Sequence, residues 1–454
     1  MDALARPIVP PVPKVHARPV NPLQLIWGMS TNPLTVWSEQ DFEILVQKNQ
    51  VLGRENWLVN DPAWVRHVMH EAMPRYRRPL ASARPVRPVT GDGVLLAEGG
   101  EWRRQRKMLA PVFTPAHVGL MLPHFQAAAE GLVRRLQGAA TANLSAAFHA
   151  ATIDAVLRAL FSLSDGADRA DIARLARGYI ERAGRPNIFD GYARSHEDFG
   201  FALASRRRFQ RRWTAAVDGV VAARRSAARA GPHRDLLDLL LAARDEDGRP
   251  LPDAEVRDQA ATLLFAGFET TSRLLFWAAW LLSLDTLEQD RLRAEVRAFP
   301  PERVTRLEDL EHWPRLRLVL LETLRLYPPV VFLLREAVEP DEIDGQAVSP
   351  GALVWMSPWV IHRHRKFWDQ PDAFMPDRFA GQPSPWTGAQ PYFPFGLGPR
   401  ICIGASFGLA EAQIVLASLL SRFEIGLSSS RPVLPVGAVT TRPDHEPLFR
   451  LARA

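Results

Sequence analysis

The chain has 454 residues, 47% of them hydrophobic, and a formal net charge of +6 in which arginine greatly outnumbers lysine. A single cysteine excludes an internal disulfide, a Cys-ligated iron–sulfur cluster and a multi-cysteine zinc site, so any iron–sulfur centre must belong to a partner. No run of about eighteen apolar residues is free of charge, and Met1–Val20 alternates Pro with Arg, Lys and His; this predicts a cytoplasmic protein with neither membrane anchor nor secretory signal.

Residues 1–40, rich in Pro and Asn, read as an extended arm lying on the surface. Between residues 41 and 60 the apolar runs Phe42–Val46 and Trp57–Val59 predict a small hairpin, and Asp61-Pro62 then opens a helix, Asp as cap and Pro at the first position. Arg77–Gly93, dense in Pro, Arg and Gly, reads as a long loop. From about Gly100 to Tyr327 the 3.6-residue spacing of Ala, Leu and Arg predicts helix almost throughout. The run Arg206-Arg207-Arg208-Phe209-Gln210-Arg211-Arg212 has no accompanying recognition motif, so it reads as a solvated helical face or docking patch, not as a nucleic-acid site. Asp253–Leu284 forms one continuous helix of roughly 45 Å, apolar enough to cross the core.

After Pro328 the period changes. Val330–Leu334 and Leu353–Trp355 read as strands, with an Asp344-Gly345 hairpin between them, so that residues 330–360 and the C-terminal tail supply the small β portion. Gln370–Pro399 is largely irregular, and a last helix runs from about Ala405 to Phe423. Length alone would suggest several domains, but there is neither a linker nor a repeat. The expected organisation is mainly α: one domain over residues 1–454, a large helical body around a long central helix.

Three stretches carry chemistry. The first is Phe395-Gly396-Leu397-Gly398-Pro399-Arg400-Ile401-Cys402-Ile403-Gly404. Glycines on both sides of the lone cysteine permit a tight turn that leaves its sulfur uncovered. The helix that follows puts unpaired N–H groups and a positive dipole end near the thiolate. The second is Ala266-Gly267-Phe268-Glu269-Thr270-Thr271-Ser272, midway along the central helix. Here Thr270, four residues after Ala266, can bond back to the Ala266 carbonyl and open a groove, while a buried Glu269 is costly unless partnered. The third is Glu322 and Arg325, three apart and flanked by leucines. His362 and His364 lack a third ligand and point to structural hydrogen bonding, not zinc.

The cysteine stretch meets in full the pattern Phe-x-x-Gly-x-Arg-x-Cys-x-Gly, at Phe395, Gly398, Arg400, Cys402 and Gly404. In this it resembles the cytochrome P450 family, as does the Ala-Gly-x-Glu-Thr-Thr run. The resemblance spans over 300 residues, Trp102 to Gly404, with the motifs in the family's order. It implies the cytochrome P450 fold, haem b, and Cys402 as axial ligand of the haem iron. Phe395 would pack near the thiolate, with Gly398 and Gly404 shaping the loop. Arg400, together with Trp102 and Arg106 from a Trp-x-x-x-Arg pattern and Arg335 as a further candidate, would hold the haem propionates. Ala266 would border the oxygen groove, with Thr270 and Glu269 as catalytic residues delivering protons. Glu322, Arg325 and Arg378 would brace the haem-binding core without acting on substrate.

The activity so implied is insertion of one atom of O2 into a hydrophobic small molecule by hydroxylation or epoxidation. Electrons would come from NAD(P)H through a separate ferredoxin or flavodoxin with its reductase, because no dinucleotide fingerprint or flavin module is present. A monomer is expected. Arg77–Gly93, Gly184–Trp213, Leu263–Ala266, Val330–Leu334 and Val436–Thr440 are expected to line the substrate pocket. Two other readings stand beside this one: a peroxide-driven oxygenase or isomerase, which the Glu269–Thr270 pair disfavours, and a haem sensor without turnover, which incubation with reductant and a substrate panel would reveal.

Overall fold

The computed structural model describes residues 7–453 except 52, 164–166, 180–183, 185–189, 191–192, 194, 197–202, 227–234, 245–247 and 383–390. Its axis is the central helix Asp253–Leu284, with the bounds expected from sequence. Nearly every turn is apolar, and Phe276 to Leu282 is completely or almost completely buried. A helix apolar on all sides is stable only when packed on all sides.

Two helices cross it where the chemistry-bearing stretch lies. The crossing helix Leu144–Phe161 packs at Gly267, where a Cβ would stand 2.9 Å from Val156 Cγ2. Glycine is what lets the two backbones approach there. The approach is sealed by Thr152, whose hydroxyl donates to the Phe268 carbonyl at 3.0 Å. This crossing helix is, by length and composition, apolar enough to span a membrane, but 78% of it is buried in the protein core. The cysteine helix Ala405–Leu420 meets the central helix one turn further on: a Cβ on Gly408 would lie 3.4 Å from Thr271 Oγ1.

The β portion is a five-stranded sheet in the order Val46–Val51, Arg54–Val59, Leu353–Met356, Leu333–Ala337, Tyr76–Arg77, with a parallel pair at its centre. A second, smaller apolar cluster lies under this sheet, built from Trp57, Val59, Val354, Met356, Phe393 and Leu397 among others. The tail pairs Phe449–Arg453 with Phe423–Leu427 and Thr141–Ala142.

Several expectations need correction. The arm within residues 1–40 is not wholly extended: Pro22–Thr31 is a helix, started by a reciprocal Asn21–Gln24 capping box with proline behind the cap. The hairpin begins at Val46, not Phe42, because Phe42 closes a 3-10 turn and packs into the core. The Arg77–Gly93 segment is not a plain loop but carries the short helices Leu80–Ala83 and Arg87–Thr90. The strand expected at Val330–Leu334 lies at Leu333–Ala337, and the last helix ends at Leu420 before the strand Phe423–Leu427. Arg206 is not solvated: it is buried and paired with Asp190 at 2.6 Å, while Arg207, Arg208, Arg211 and Arg212 do face solvent.

Behind the cysteine loop, Glu322 and Arg325 are both fully buried and joined by two bonds of 2.7 and 2.8 Å. Arg325 also donates to the carbonyls of His362, Pro371 and Ala373, and Arg378 Nε reaches Glu322 Oε1 at 3.3 Å. The structure thus brings Glu322, Arg325 and Arg378 together. His362 belongs to the same scaffold, accepting the Phe393 N–H at 3.0 Å. Removing one member of a buried pair strands the other's charge. Glu322→Ala should therefore cost about 3–5 kcal/mol in a denaturant titration, whereas Glu101→Ala, which breaks the surface pair with Arg104, should cost about 1 kcal/mol or less. Equal losses from the two substitutions would rule out a bracing role for Glu322.

Candidate functional site

The cysteine loop is shaped by backbone geometry. The Cys402 N–H donates to the Phe395 carbonyl at 2.8 Å and the Ile401 N–H to the Gly398 carbonyl at 3.0 Å, folding the segment into consecutive turns. Gly398 has φ +69°, and a Cβ there would sit 2.4 Å from the Met69 carbonyl oxygen, so both the backbone conformation and the space require glycine. The Met69 wall belongs to the π-helical turn His67–Glu71, an irregularity that often marks functional sites. Cys402 ends up accessible, three residues ahead of the cysteine helix. Protein packed around the thiol pushes its pKa up, while the Gly404 backbone N–H and the Arg106 guanidinium pull the other way.

Ala266 is exposed and Gly267 and Thr270 half-exposed, although Leu263, Leu264, Phe265 and Phe268 around them are buried. In the middle of a core helix this accessible stripe is the wall of a cleft. The Thr270 hydroxyl donates to the Ala266 carbonyl at 2.9 Å, and Thr271 does the same to Gly267 at 3.1 Å. Both extra bonds compete with the helix's own ladder at the position where a groove was expected.

Glu269 is buried on another side of the same turn. Its Oε1 accepts from Arg273 Nε at 2.9 Å and from the Thr440 hydroxyl at 2.7 Å, and its Oε2 lies 3.5 Å from His149 Nδ1. Burial pushes its pKa up, but the Arg273 charge, then His149, then the two hydrogen bonds outweigh this, leaving the acid below the usual carboxylate range. His149 is pushed down to about 4, chiefly by burial, and is neutral near pH 7.

A second group of charges gathers around Arg335. Arg335 is buried and its Nη1 donates to the Leu334 carbonyl; burial, then Arg78 and Arg400, push its pKa down to about 9. Arg78 was not anticipated from the sequence. Its Nε is buried without a hydrogen-bond partner, and burial followed by the Arg400 charge lowers its pKa to about 10. Arg400 pairs with Glu98, donates to the Ala97 carbonyl at 3.0 Å and stacks on Trp102 at 4.6 Å. Arg106 is lowered by burial and raised by Cys402.

Among the described residues, then, the guanidinium groups of Arg78, Arg335 and Arg400 gather here, and Glu98 is the carboxylate that answers them, while Arg106 faces Cys402. Such a cluster is unstable unless more negative charge joins it. The two propionates of haem would provide it, with Cys402 as the soft ligand for iron. The residues present fit haem. Sequence reasoning missed Arg78 because it stands beside Arg77, which faces solvent and pairs with Glu336; two adjacent arginines look alike until the fold separates them. It also missed His149, Arg273 and Thr440, which lie far from any motif or outside its fixed positions. Of the expected substrate-lining segments, most of Gly184–Trp213 up to 202 falls outside the described residues.

Comparison with known proteins adds independent findings. A family model for cytochrome P450 matches residues 36–444. Cytokinin hydroxylase of Arabidopsis thaliana is 30% identical over 440 residues, covering 93% of this chain and 79% of that protein. Cyclooctatin synthase of Streptomyces melanosporofaciens is 31% identical over 356 residues, covering 75% and 74%. Among solved structures, retinoic acid-bound cyanobacterial CYP120A1 superposes with a TM-score of 0.78 at 23% identity, covering 90% of this chain and 92% of that one.

If the arginine cluster is the propionate cradle, Arg78→Gln and Arg335→Gln should each weaken haem uptake by the apoprotein by about tenfold or more, the weight of one charge-assisted hydrogen bond. Arg77→Gln, at the solvent-facing neighbour, should leave uptake unchanged. The measurement is a haem titration followed in the Soret band, and wild-type affinity in Arg78→Gln removes that residue from the cradle.

Proposed function

This chain belongs to the cytochrome P450 family, the haem b-dependent monooxygenases, and from that starting point we propose how its own residues divide the work and what kind of molecule it oxidises. Cys402, presented bare by the loop that Gly398 and Gly404 bound, would hold the haem iron through its thiolate. Trp102, Arg106, Arg335 and Arg400, joined by Arg78, would hold the propionates. Bound there, haem supplies the centre at which dioxygen is reduced and one oxygen atom passed on.

The protein's part in that reaction is largely the handling of protons and water. Thr270, tied to the Ala266 carbonyl at 2.9 Å, keeps a hydroxyl at the edge of the cleft and holds the helix open there. Glu269, ionised and anchored behind it, relays protons from the interior of the protein. The apolar residues on either side exclude bulk water. The observation that carries this assignment is the accessible stripe formed by Ala266 and Thr270 on a mostly buried helix, next to a buried acid whose Oε1 accepts two hydrogen bonds.

The substrate is a hydrophobic small molecule. Supporting this, Val330 is exposed and Phe332, Leu333 and Val439 are partly so, in segments joined by the Thr441 N–H to the Pro329 carbonyl at 2.9 Å. Hydroxylation is the first expectation, in keeping with the name of one relative, cytokinin hydroxylase, with epoxidation as the alternative. We place the enzyme in the cytoplasm as a monomer drawing electrons from NAD(P)H through a separate ferredoxin or flavodoxin and its reductase.

Thr270→Ala should raise the share of consumed dioxygen released as hydrogen peroxide several-fold while leaving haem content and melting temperature near wild type. A peroxide assay with a surrogate ferredoxin and reductase reads this out, and an unchanged share would remove Thr270 from proton handling. Substrate class is read from shifts of the Soret band across a panel of apolar compounds.

A further inference from the structure

The reading of Glu269 as a proton-relaying acid raises the question of what fixes its charge state, and the following inference rests on that reading. The groups facing the carboxylate come from three elements. Arg273 is four residues on in the central helix itself, and the Ser145 hydroxyl lies 3.3 Å from Arg273 Nη1. His149 comes from the crossing helix, with Arg177 and Glu446 acting on it from further out. Thr440 comes from the C-terminal hairpin, whose strands are Pro435–Gly437 and Thr441–Pro443.

Two features separate Thr440 from the rest. First, its position is locked from outside the site. The next residue, Thr441, donates through its N–H to the Pro329 carbonyl at 2.9 Å and through its hydroxyl to Pro328 at 2.5 Å, and its own carbonyl accepts Trp277 Nε1 at 3.0 Å. The hairpin is thereby pinned both to the Pro328–Pro329 turn and to the central helix. Arg273, in contrast, is a long side chain on the acid's own helix. Second, Thr440 and Arg273 both donate to Oε1, which leaves Oε2 buried with no hydrogen bond. A buried carboxylate oxygen without a donor is the costliest atom in such a group to leave unprotonated. Oε2 is therefore where a proton is taken up.

We propose that Thr440 is a positioning residue for proton delivery: through its hydroxyl the C-terminal hairpin ties one oxygen of Glu269 and leaves the other bare to carry the proton. Because the same hairpin is expected to form part of the substrate wall, the acid and the substrate share a support. Displacement of the hairpin by a bound molecule would alter the hold on Glu269 directly.

The sign of the effect follows from the bond. A hydrogen bond donated to Oε1 favours the carboxylate, so removing it makes Glu269 easier to protonate and moves its titration to higher pH. Thr440→Val keeps the side-chain shape and deletes the donor; Thr440→Ser keeps the donor.

The test uses the haem-loaded, full-length protein with two readouts. Glu269 is titrated directly by the carbonyl stretch of its protonated form in infrared difference spectra, assigned by its disappearance in Glu269→Gln. Peroxide released per dioxygen consumed is followed against pH with a surrogate ferredoxin and reductase. In Thr440→Val the infrared titration should shift upward by about one pH unit, the equivalent of one hydrogen bond to a charged group. The peroxide profile should move with it, and Thr440→Ser should restore both. A Thr440→Val protein that folds, binds haem and titrates like wild type overturns the proposal. If Thr440→Val fails to load haem, the Thr440→Ser protein decides: it must titrate like wild type, and a shifted titration there overturns the proposal. If Glu269→Gln leaves the peroxide share unchanged, the proton-relay reading itself has failed, and the proposal goes with it. If Glu269→Gln raises the share but Thr440→Val shifts nothing, the proposal alone has failed.

Discussion

A thiol that must stay bare at the inner end of a close-packed protein is the constraint from which the other features follow. Packing protein around Cys402 works against its anionic form, and the opposing pull comes from the Gly404 N–H and the Arg106 guanidinium. The loop cannot relax away from this position. Gly398 touches the Met69 carbonyl too closely for any side chain, and the Phe395 carbonyl is used up by the Cys402 N–H. Behind it the fully buried Glu322–Arg325 pair ties the helix that ends at Leu326 to the carbonyls of residues 362, 371 and 373. The stiffness of the loop is thus borrowed from a charged network well away from the sulfur.

On the other wall of the cleft the central helix solves a different problem. It must be buried for the fold and open for the chemistry, and it separates these by direction. One stripe, Ala266 and Thr270, faces the cleft, while its remaining sides carry apolar residues and Glu269 and meet Glu411 of the cysteine helix. Those two carboxyls are shifted in opposite directions. Glu269, with Arg273, His149 and Thr440 around it, is held ionised. Glu411, on the cysteine helix beside Thr271, is fully buried, and that burial pushes its pKa well above the ordinary range against the opposing pull of the Thr271 hydroxyl. The surroundings of the two acids thus move their titrations in opposite directions. The separation comes from the helices that pack on each side, because both side chains are glutamates.

Much of this was legible without coordinates, and the reasons are local. The central helix could be bounded at Asp253 and Leu284 because its periodicity is long and uninterrupted. The cysteine loop could be read because its glycines and its arginine stand at fixed offsets from one another. Glu322 and Arg325 could be paired because three residues is the spacing of one helical face. Errors concentrated where prolines stood. The Asn21–Gln24 box makes a helix in a stretch whose prolines suggested none, Leu80–Ala83 forms between prolines that read as breakers, and Arg87–Thr90 takes Pro88 into its first turn.

What the sequence determined by itself, therefore, is everything carried by neighbours along the chain: the helical class, the lone cysteine and its turn, the Thr270–Ala266 back-bond, the Glu322–Arg325 pair. Tertiary structure alone decided which of two adjacent arginines, Arg77 or Arg78, turns inward, and which residue 171 positions away from Glu269 supplies its second donor. The physical reason is that charge states and hydrogen-bond partners depend on burial and on distances through space. Neither is encoded at any fixed separation in the chain, so a glutamate reads the same whether an arginine and a threonine will meet it or nothing will.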